Sequence, residues 1–363
     1  MRSIKMRNFK YFLVLTLFSC ANVIMPTGGE KDIQPPKVLN TSFIKEDNIV
    51  TLQFNFDEYI QINNWNKHFY ISPPIEKKVK KKIKGKSLIL KIEDTLFNQS
   101  TYSICLNSCI KDLNEGNILF EYSHNFSLDT VLDTMSITGS LQDAYTLDSL
   151  ESAAILLYDT EIHDSLIFKV PPSFIARTDK NGNFNFSNLD SKTYNIFAHQ
   201  DFDYKYSNNK KIAFLNNVIN AKKDSFLILY AFEPILHSNT FTDSSLISQK
   251  DTINKPVEDS SQFFEKNYGN LELVFDENNA CVIQLISDDK VIKEKSFLKE
   301  PYIIKNIPPA SYRIKYIYDL NSDGIWSTGD RELRTQPERV IYYANSVNIR
   351  ENWDLVLDWF ILK

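Results

Sequence analysis

The segment Ile49-Val50-Thr51-Leu52-Gln53-Phe54-Asn55-Phe56 decides the fold class, because apolar and polar side chains alternate along it. A period of two is typical of a β-strand with one buried face. Ser87–Ile92 repeats the pattern more loosely, and Tyr102–Ile110 is predicted to be a further strand. Short strands separated by turns indicate a β-sandwich. We detect no long amphipathic helix in the sequence, so an all-β chain is expected.

Five segments around this strand occur in an order that resembles the S-layer type of bacterial Ig-like domain. They read PPKVLNTSF, LQFNFDEYIQI, FYISPPI, QSTYSICLNSCIKDLNEGN and YSHNFSL. The resemblance implies an Ig-like sandwich over residues 35–130. Domains of this family are mostly spacers and binding modules, so it brings no catalytic residues with it.

The N-terminus resembles a bacterial lipoprotein signal. Basic residues precede the apolar run Tyr11–Phe18, which is too short to span a bilayer but fits the core of a signal peptide. The run ends in Leu17-Phe18-Ser19-Cys20, similar to a lipobox, in which the cysteine receives diacylglycerol and palmitate and becomes the new N-terminus. We therefore predict a signal peptide over 1–19, lipidation at Cys20 and a tether over 20–34. The alternative is an ordinary secretion signal with an incidental cysteine.

The leader after Cys20 suggests where such an anchor would place the protein. Pro26-Thr27-Gly28-Gly29, followed by Pro35-Pro36, resembles envelope lipoproteins of Bacteroidota-type bacteria. The resemblance implies a lipid-anchored protein of the outer membrane, on its periplasmic face or at the cell surface. The acyl chains would be the contact with the membrane.

An internal repeat occupies the rest of the chain. Asn188, Leu189, Tyr194, Ile196, Asp201 and Asp203 recur at one constant offset as Asn306, Ile307, Tyr312, Ile314, Asp319 and Asn321. An apolar strand precedes each copy, at Ala154–Tyr158 and at Cys281–Ile286. The repeat predicts two related sandwiches over 131–236 and 265–363, joined by a polar linker at 237–264.

The segment Thr178–Phe184 is similar to transthyretin-like and carboxypeptidase-regulatory-like domains, in which D-x-x-G-x-F starts a hairpin. The resemblance implies that both repeats are transthyretin-like. The predicted architecture is therefore three tandem β-sandwiches, one Ig-like and two transthyretin-like, after a signal peptide. The alternation from Trp353 to Ile361 predicts a strand that closes the last sandwich, and a docking segment is the alternative.

An acidic loop in the second repeat has the spacing of an EF-hand-type calcium loop. Asp319, Asn321 and Asp323 occupy positions 1, 3 and 5, Gly324 occupies position 6, and Asp330 occupies position 12. Calcium binding is one interpretation, and an unoccupied acidic turn is the other. Position 12 is an aspartate rather than the usual glutamate, and no flanking helices are predicted.

Other candidate ligand contacts are aromatic or basic. Trp326 lies beside the acidic loop and Trp353 near the C-terminus, and exposed aromatic residues of this kind could bind a glycan. A lysine run that includes Lys80, Lys81 and Lys82 could contact an acidic polysaccharide or lipid headgroups. The alternative is a solvated hairpin whose lysines discourage edge-to-edge strand pairing.

The composition and the motifs argue against catalysis and nucleic-acid binding. The net charge is −5, and the nine glycines form no phosphate-binding loop. The five histidines show no metal-ligand spacing, and no nucleophile motif is present. Cys105, Cys109 and Cys281 are expected to be buried thiols, although a turn between the first two would permit a disulfide.

These observations predict a non-catalytic envelope lipoprotein, a structural or interaction module whose partner is an unidentified envelope protein or polysaccharide. The alternative is a glycan- or polymer-binding lipoprotein with a calcium-organised loop.

Overall fold

A computed structural model of the chain describes residues 31–98, 100–129, 133–201, 204–207, 209–234, 267–276 and 278–360. These residues form three β-sandwiches in sequence, each with its own apolar core. The predicted all-β class is confirmed.

The first sandwich is built around the strand Ile49–Phe56. One sheet has the order β1-β2-β6-β5 and faces a sheet of order β4-β7-β9, with the pair β3-β8 beside them. Val50, Leu52, Phe54 and Phe56 all point into the core, as the alternation predicts. The elements are β1 (Val38–Glu46), β2 (Ile49–Phe56), β3 (Ile60–Ile62), α1 (Trp65–His68), β4 (Tyr70–Ser72), β5 (Lys80–Lys84), β6 (Ser87–Ile92), β7 (Thr101–Cys105), β8 (Ile110–Asp112) and β9 (Ser123–Ser127).

The second sandwich packs a three-stranded sheet, β13-β10-β17, against a sheet of order β12-β11-β14-β15 in which β16 also pairs with β14. The last strand, β17, runs parallel to β10. The strands are β10 (Met135–Asp143), β11 (Ala154–Asp159), β12 (Phe174–Arg177), β13 (Asn183–Leu189), β14 (Thr193–His199), β15 (Ile212–Phe214), β16 (Ile219–Asn220) and β17 (Phe226–Ala231).

The third sandwich has the same topology, strand for strand. Its sheets have the orders β21-β18-β25 and β20-β19-β22-β23, with β24 paired to β22 and β25 parallel to β18. The strands are β18 (Gly269–Phe275), β19 (Cys281–Ser287), β20 (Lys290–Phe297), β21 (Tyr302–Ile307), β22 (Ala310–Tyr318), β23 (Val340–Tyr342), β24 (Val347–Ile349) and β25 (Asp354–Trp359). The C-terminal alternation therefore forms the strand that closes the sheet.

Matched residues of the repeat have matched conformations. Asn188 and Asn306 both have left-handed backbones, with φ of 58° and 56°. Asparagine tolerates this region better than most residues, so it suits the tight turn into the next strand. Tyr194 and Tyr312 are both buried, and each hydroxyl donates to the residue four positions earlier, Tyr194 to the carboxylate of Asp190 and Tyr312 to the backbone carbonyl of Pro308. The sequence repeat is thus a repeat of turn geometry.

One predicted strand is wrong in its extent. Tyr102–Ile110 was expected to be continuous, but β7 ends at Cys105 and β8 begins at Ile110. Ser108, with φ of 56°, lies in the turn between them.

Several predicted segments lie outside the described residues: the signal peptide, Cys20 and the linker over 237–264. Within the described part of the chain, no helix has the length and apolar character needed to cross a membrane.

Candidate functional site

The long loop between β22 and β23, residues 319–339, contains the predicted calcium residues and Trp326. We call it the clamp loop. Asp319 is buried, and its carboxylate accepts the backbone N–H groups of Asp323 at 3.0 Å and Gly324 at 2.9 Å. Asp323 is exposed and accepts Asn321 Nδ2 at 2.8 Å. The first three predicted ligands therefore lie in one turn.

The fourth predicted ligand has its own local bonds. The Asp330 carboxylate is buried and accepts the backbone N–H groups of Glu332 and Leu333 at 2.7 and 3.1 Å. The described residues contain one group of three or more acidic, histidine or cysteine side chains with ligand atoms within 4.8 Å, and it is Glu58, Asp112 and Glu115. Calcium binding at Asp319, Asn321, Asp323 and Asp330 stays a prediction.

Sequence reasoning missed the residue at the centre of the clamp loop. Glu338 is buried, and its carboxylate accepts the N–H groups of Leu320 and Ser327, both at 2.8 Å. Its backbone carbonyl accepts the indole N–H of Trp326 at 3.0 Å. Glu338 therefore ties both arms of the loop together, although no spacing motif marks it in the sequence.

The outer side of the clamp loop contacts the second sandwich. Thr328 Oγ1 donates to the carbonyl of Glu233 at 2.9 Å, and Gln336 Nε2 donates to that of Phe214 at 3.0 Å. Arg334 pairs with Asp164, with Nε 3.0 Å from Oδ2. These bonds join residues far apart in the chain, so spacing could not predict them.

A glycine allows a close approach of the clamp loop to the second sandwich. A Cβ atom at Gly329 would lie 2.6 Å from Cζ of Phe232, which is buried. Any larger residue would push the clamp loop away from the second sandwich. The aromatic face of Trp326 lies nearby, with its centroid 5.0 Å from that of Tyr145. Trp326 is therefore half-buried between sandwiches, and its binding of a glycan stays a prediction.

A buried lysine lies beside this contact. Lys315 on β22 is 2% exposed, and its ammonium lies 3.1 Å from the ring centroid of Tyr145. Tyr145 also bonds to Gln284, with Nε2 2.8 Å from the hydroxyl, and Gln284 donates to Glu294 at 2.6 Å. Burial lowers the pKa of Lys315 to about 8, although Asp143 and Glu294 oppose the shift. The Tyr145 ring and the carboxylates of Asp143 and Glu294 thus offset the free-energy cost of removing the Lys315 ammonium from water.

The sequence did contain a signal for this interface. Ala154–Tyr158 is apolar on both strand faces, and Cys281–Ile286 is apolar on both faces except at Gln284. One face of each strand supplies the core of its own sandwich, whereas the other belongs to clusters that include Trp326. A continuous apolar strand is buried on both sides, which means a second covering layer.

The remaining predicted ligand contacts are on the surface. Trp353 is 48% exposed, with the Arg350 guanidinium 4.9 Å from its ring centroid. Lys80, Lys81 and Lys82 lie on β5, an edge strand. Because neighbouring residues of a strand face opposite sides, Lys81 lies on one side of β5 and Lys80 and Lys82 lie on the other.

The three described cysteines are free and buried. Burial raises the pKa of Cys105 to about 11 and those of Cys109 and Cys281 to about 12. These thiols are protonated at neutral pH and are not nucleophiles there.

A known domain family matches the first sandwich. Residues 30–130 match the family model of the bacterial Ig-like domain. This is the family expected from the sequence, over nearly the predicted range. No curated protein matches the chain.

Three of the solved structures similar to this chain show how distant the likeness is. BcpA, the major pilin subunit of Bacillus cereus, has 13% identity over 55% of this chain and 70% of its own, with a TM-score of 0.19. GBS52, a minor pilin of Streptococcus agalactiae, has 14% identity over 62% and 95%, with a TM-score of 0.19. Domains MG0-NIE-MG1 of Escherichia coli alpha-2-macroglobulin have 10% identity over 78% and 94%, with a TM-score of 0.22. We draw no functional conclusion from scores of this size.

Proposed function

We propose that this chain is a non-catalytic, lipid-anchored protein of the bacterial outer membrane that holds three β-sandwiches in fixed head-to-tail order. It acts as a structural or interaction module for an envelope partner. The observation that supports this role is the clamp loop, in which Thr328 and Gln336 donate hydrogen bonds to backbone carbonyls of the second sandwich.

The boundary between the first and second sandwiches supports the same role. The N–H of Ile175 donates to Ser72 Oγ at 3.1 Å, and Asn188 Nδ2 donates to Ser103 Oγ at 3.0 Å. The Arg177 guanidinium lies 5.5 Å from the ring centroid of Tyr70 and donates to the carbonyl of Lys67. Buried polar groups bonded across a boundary resist its opening, because separation would leave them unpaired within apolar surroundings.

The anchor is supported by the sequence before the described residues, where Leu17-Phe18-Ser19-Cys20 follows a short apolar run. Acyl chains on Cys20 would hold the sandwiches at the membrane, since each buried CH₂ contributes about 0.8 kcal/mol.

The test of the anchor compares the wild-type chain with Cys20→Ser in a bacterium that processes lipoproteins. Wild-type protein should incorporate labelled palmitate and sediment with outer membranes, whereas Cys20→Ser should do neither. Cys109→Ser is the matched control, and it should be labelled like the wild type. Equal sedimentation and equal labelling of Cys20→Ser would refute the lipid anchor.

A further inference from the structure

A groove of about 800 Å³ lies where the first sandwich meets the second. The first sandwich lines it with Trp65, Phe69 and Tyr70, and the second with Ile175 and Arg177. The hydrogen bond from Ile175 to Ser72 and the contact of Arg177 with Tyr70 cross the same boundary. The two walls therefore have a fixed separation.

The groove has a charge opposite to that of the chain. Five cationic side chains line it, and only Glu76 and Asp201 are acidic. The net charge of the chain is −5, so the positive charge is local. A concave cationic site attracts anions more strongly than isolated surface lysines do, since the low-dielectric walls focus its field. The cationic side chains are Lys77, Lys78, Lys81, Arg177 and Lys205.

Strand alternation divides the lysine run into two sets. Lys81 shares its side of β5 with Ile83, which packs against the core, and the Lys81 ammonium lies 4.8 Å from the ring centroid of Trp65. Lys80, Lys82 and Lys84 have the opposite parity, and none of them lines the groove. The groove therefore receives Lys77, Lys78 and Lys81, and the outer set faces elsewhere.

The shape of the groove and its aromatic packing restrict the class of ligand that it can bind. A flat bilayer surface cannot enter a recessed groove between two sandwiches. The Trp65 ring stacks on Phe69 with centroids 4.1 Å apart and has Lys81 over it. Phe69 and Lys81 therefore already contact the Trp65 ring, which does not stand open as the stacking platform that a nucleic-acid base would use. An extended saccharide needs no open ring face, and its anionic groups would pair with the lysines.

We propose that this groove binds an anionic polysaccharide. Lys77, Lys78, Lys81 and Arg177 pair with its carboxylate or phosphate groups, and its sugar rings lie along the groove between the two sandwiches. This role goes beyond the proposed structural role and does not depend on the lipid anchor, so failure of one would leave the other intact.

The test measures binding of the full-length chain, purified in detergent, to polygalacturonate, phosphomannan and neutral dextran. Polygalacturonate supplies carboxylates and phosphomannan supplies phosphates, so the two arms distinguish the sources of negative charge. We expect binding to one or both, none to dextran, and loss of binding in about 0.5 M salt, where screening is strong.

The deciding comparison uses two triple variants with the same change in charge. The variant Lys77→Gln/Lys78→Gln/Lys81→Gln should bind about tenfold more weakly, because it removes charges from inside the groove. The control Lys80→Gln/Lys82→Gln/Lys84→Gln should retain wild-type affinity. Equal losses in both variants, equal binding to dextran, or no binding to either charged polymer would overturn the proposal. Binding to phosphatidylglycerol vesicles that requires the outer set would also overturn it, in favour of a membrane-facing surface.

Discussion

Asn188 and Asn306 illustrate how much a single residue decides at this fold's turns. Each has positive φ at the end of one strand, just before the strand that carries the buried Tyr194 or Tyr312. The turn brings each tyrosine hydroxyl to the residue four positions earlier, where Tyr194 donates to the Asp190 carboxylate and Tyr312 donates to the Pro308 carbonyl at 2.8 Å. The same turn conformation therefore occurs twice, and it appears in the sequence as a repeated asparagine followed by an aliphatic residue.

Replacing Asn306 tests this explanation. Asn306→Ala should lower the free energy of unfolding by about 1 kcal/mol, because alanine disfavours the left-handed region, whereas Asn306→Gly should cost only a few tenths. Urea denaturation measures both. At Asn188 both substitutions also remove the bond to Ser103 Oγ, so only the difference between alanine and glycine tests the turn there. Equal effects of alanine and glycine at either position would contradict the turn explanation.

The buried thiols predict a loss of stability in alkali. A thiol whose pKa is raised from 9.0 to about 12, such as Cys281, stays protonated in the folded chain while the unfolded chain ionises above pH 9. Its contribution to stability is therefore intact below pH 9 and is lost as the pH rises towards 12. One pKa unit corresponds to about 1.4 kcal/mol.

The variant Cys281→Ala isolates this effect from other titrating groups, including Lys315, whose lowered pKa acts in the opposite direction. Cys281→Ala should be less stable than the wild type at pH 7, because it leaves a small cavity. The difference should shrink by about 1 kcal/mol at pH 10, where the wild-type unfolded chain has ionised its thiol. Urea denaturation at the two pH values measures it, and an unchanged difference would contradict the buried, protonated thiol.

At the scale of elements, the clamp loop combines an acidic turn, which its sequence predicted, with contacts to the second sandwich, which its sequence did not predict. The spacing of Asp319, Asn321, Asp323 and Asp330 predicted a turn rich in oxygen ligands, and the first three do share one turn. The contacts of Thr328, Arg334 and Gln336 with the second sandwich were not predictable. The edge position of β5 agrees with the protective interpretation of its lysines.

Calcium binding by the clamp loop predicts a change in thermal stability. If the ion binds, about 1 mM calcium should raise the melting temperature of the full chain relative to chelator, through binding to the folded state alone. Asp323→Ala should abolish the rise, and Asp289→Ala, an exposed aspartate in another loop of the same sandwich, should preserve it. Identical melting temperatures with calcium and with chelator would end the calcium interpretation.

The sequence predicted local features better than long-range ones. Val50–Phe56 identified a one-sided strand because burial alternates with each residue, and the strand repeat identified two sandwiches of equal topology. Glu338 was missed because a glutamate that bonds two distant backbone N–H groups has no characteristic spacing. The groove was missed because its walls are separated by about a hundred residues of sequence, and only the folded arrangement of sandwiches makes Lys81 and Arg177 neighbours.

At the scale of the whole molecule, each repeat uses the same loop to face the sandwich before it. The loop after β14 contributes Tyr204 and Lys205 to the groove beside the first sandwich. The loop after β22 is the clamp loop, which packs on the second sandwich through Trp326 and Arg334. Head-to-tail docking is thus repeated along with the fold, and we propose that it fixes the arrangement of the sandwiches.

The most direct test is a distance distribution between spin labels on the second and third sandwiches. Labels at Lys223→Cys and Lys290→Cys, introduced together with Cys20→Ser, would react selectively, because the described native thiols are buried. We predict one narrow distribution for the otherwise wild-type chain. It should broaden in Trp326→Ala/Arg334→Ala and stay narrow in the control Trp353→Ala. A broad distribution in the otherwise wild-type chain, or an unchanged one in the clamp-loop variant, would contradict the account.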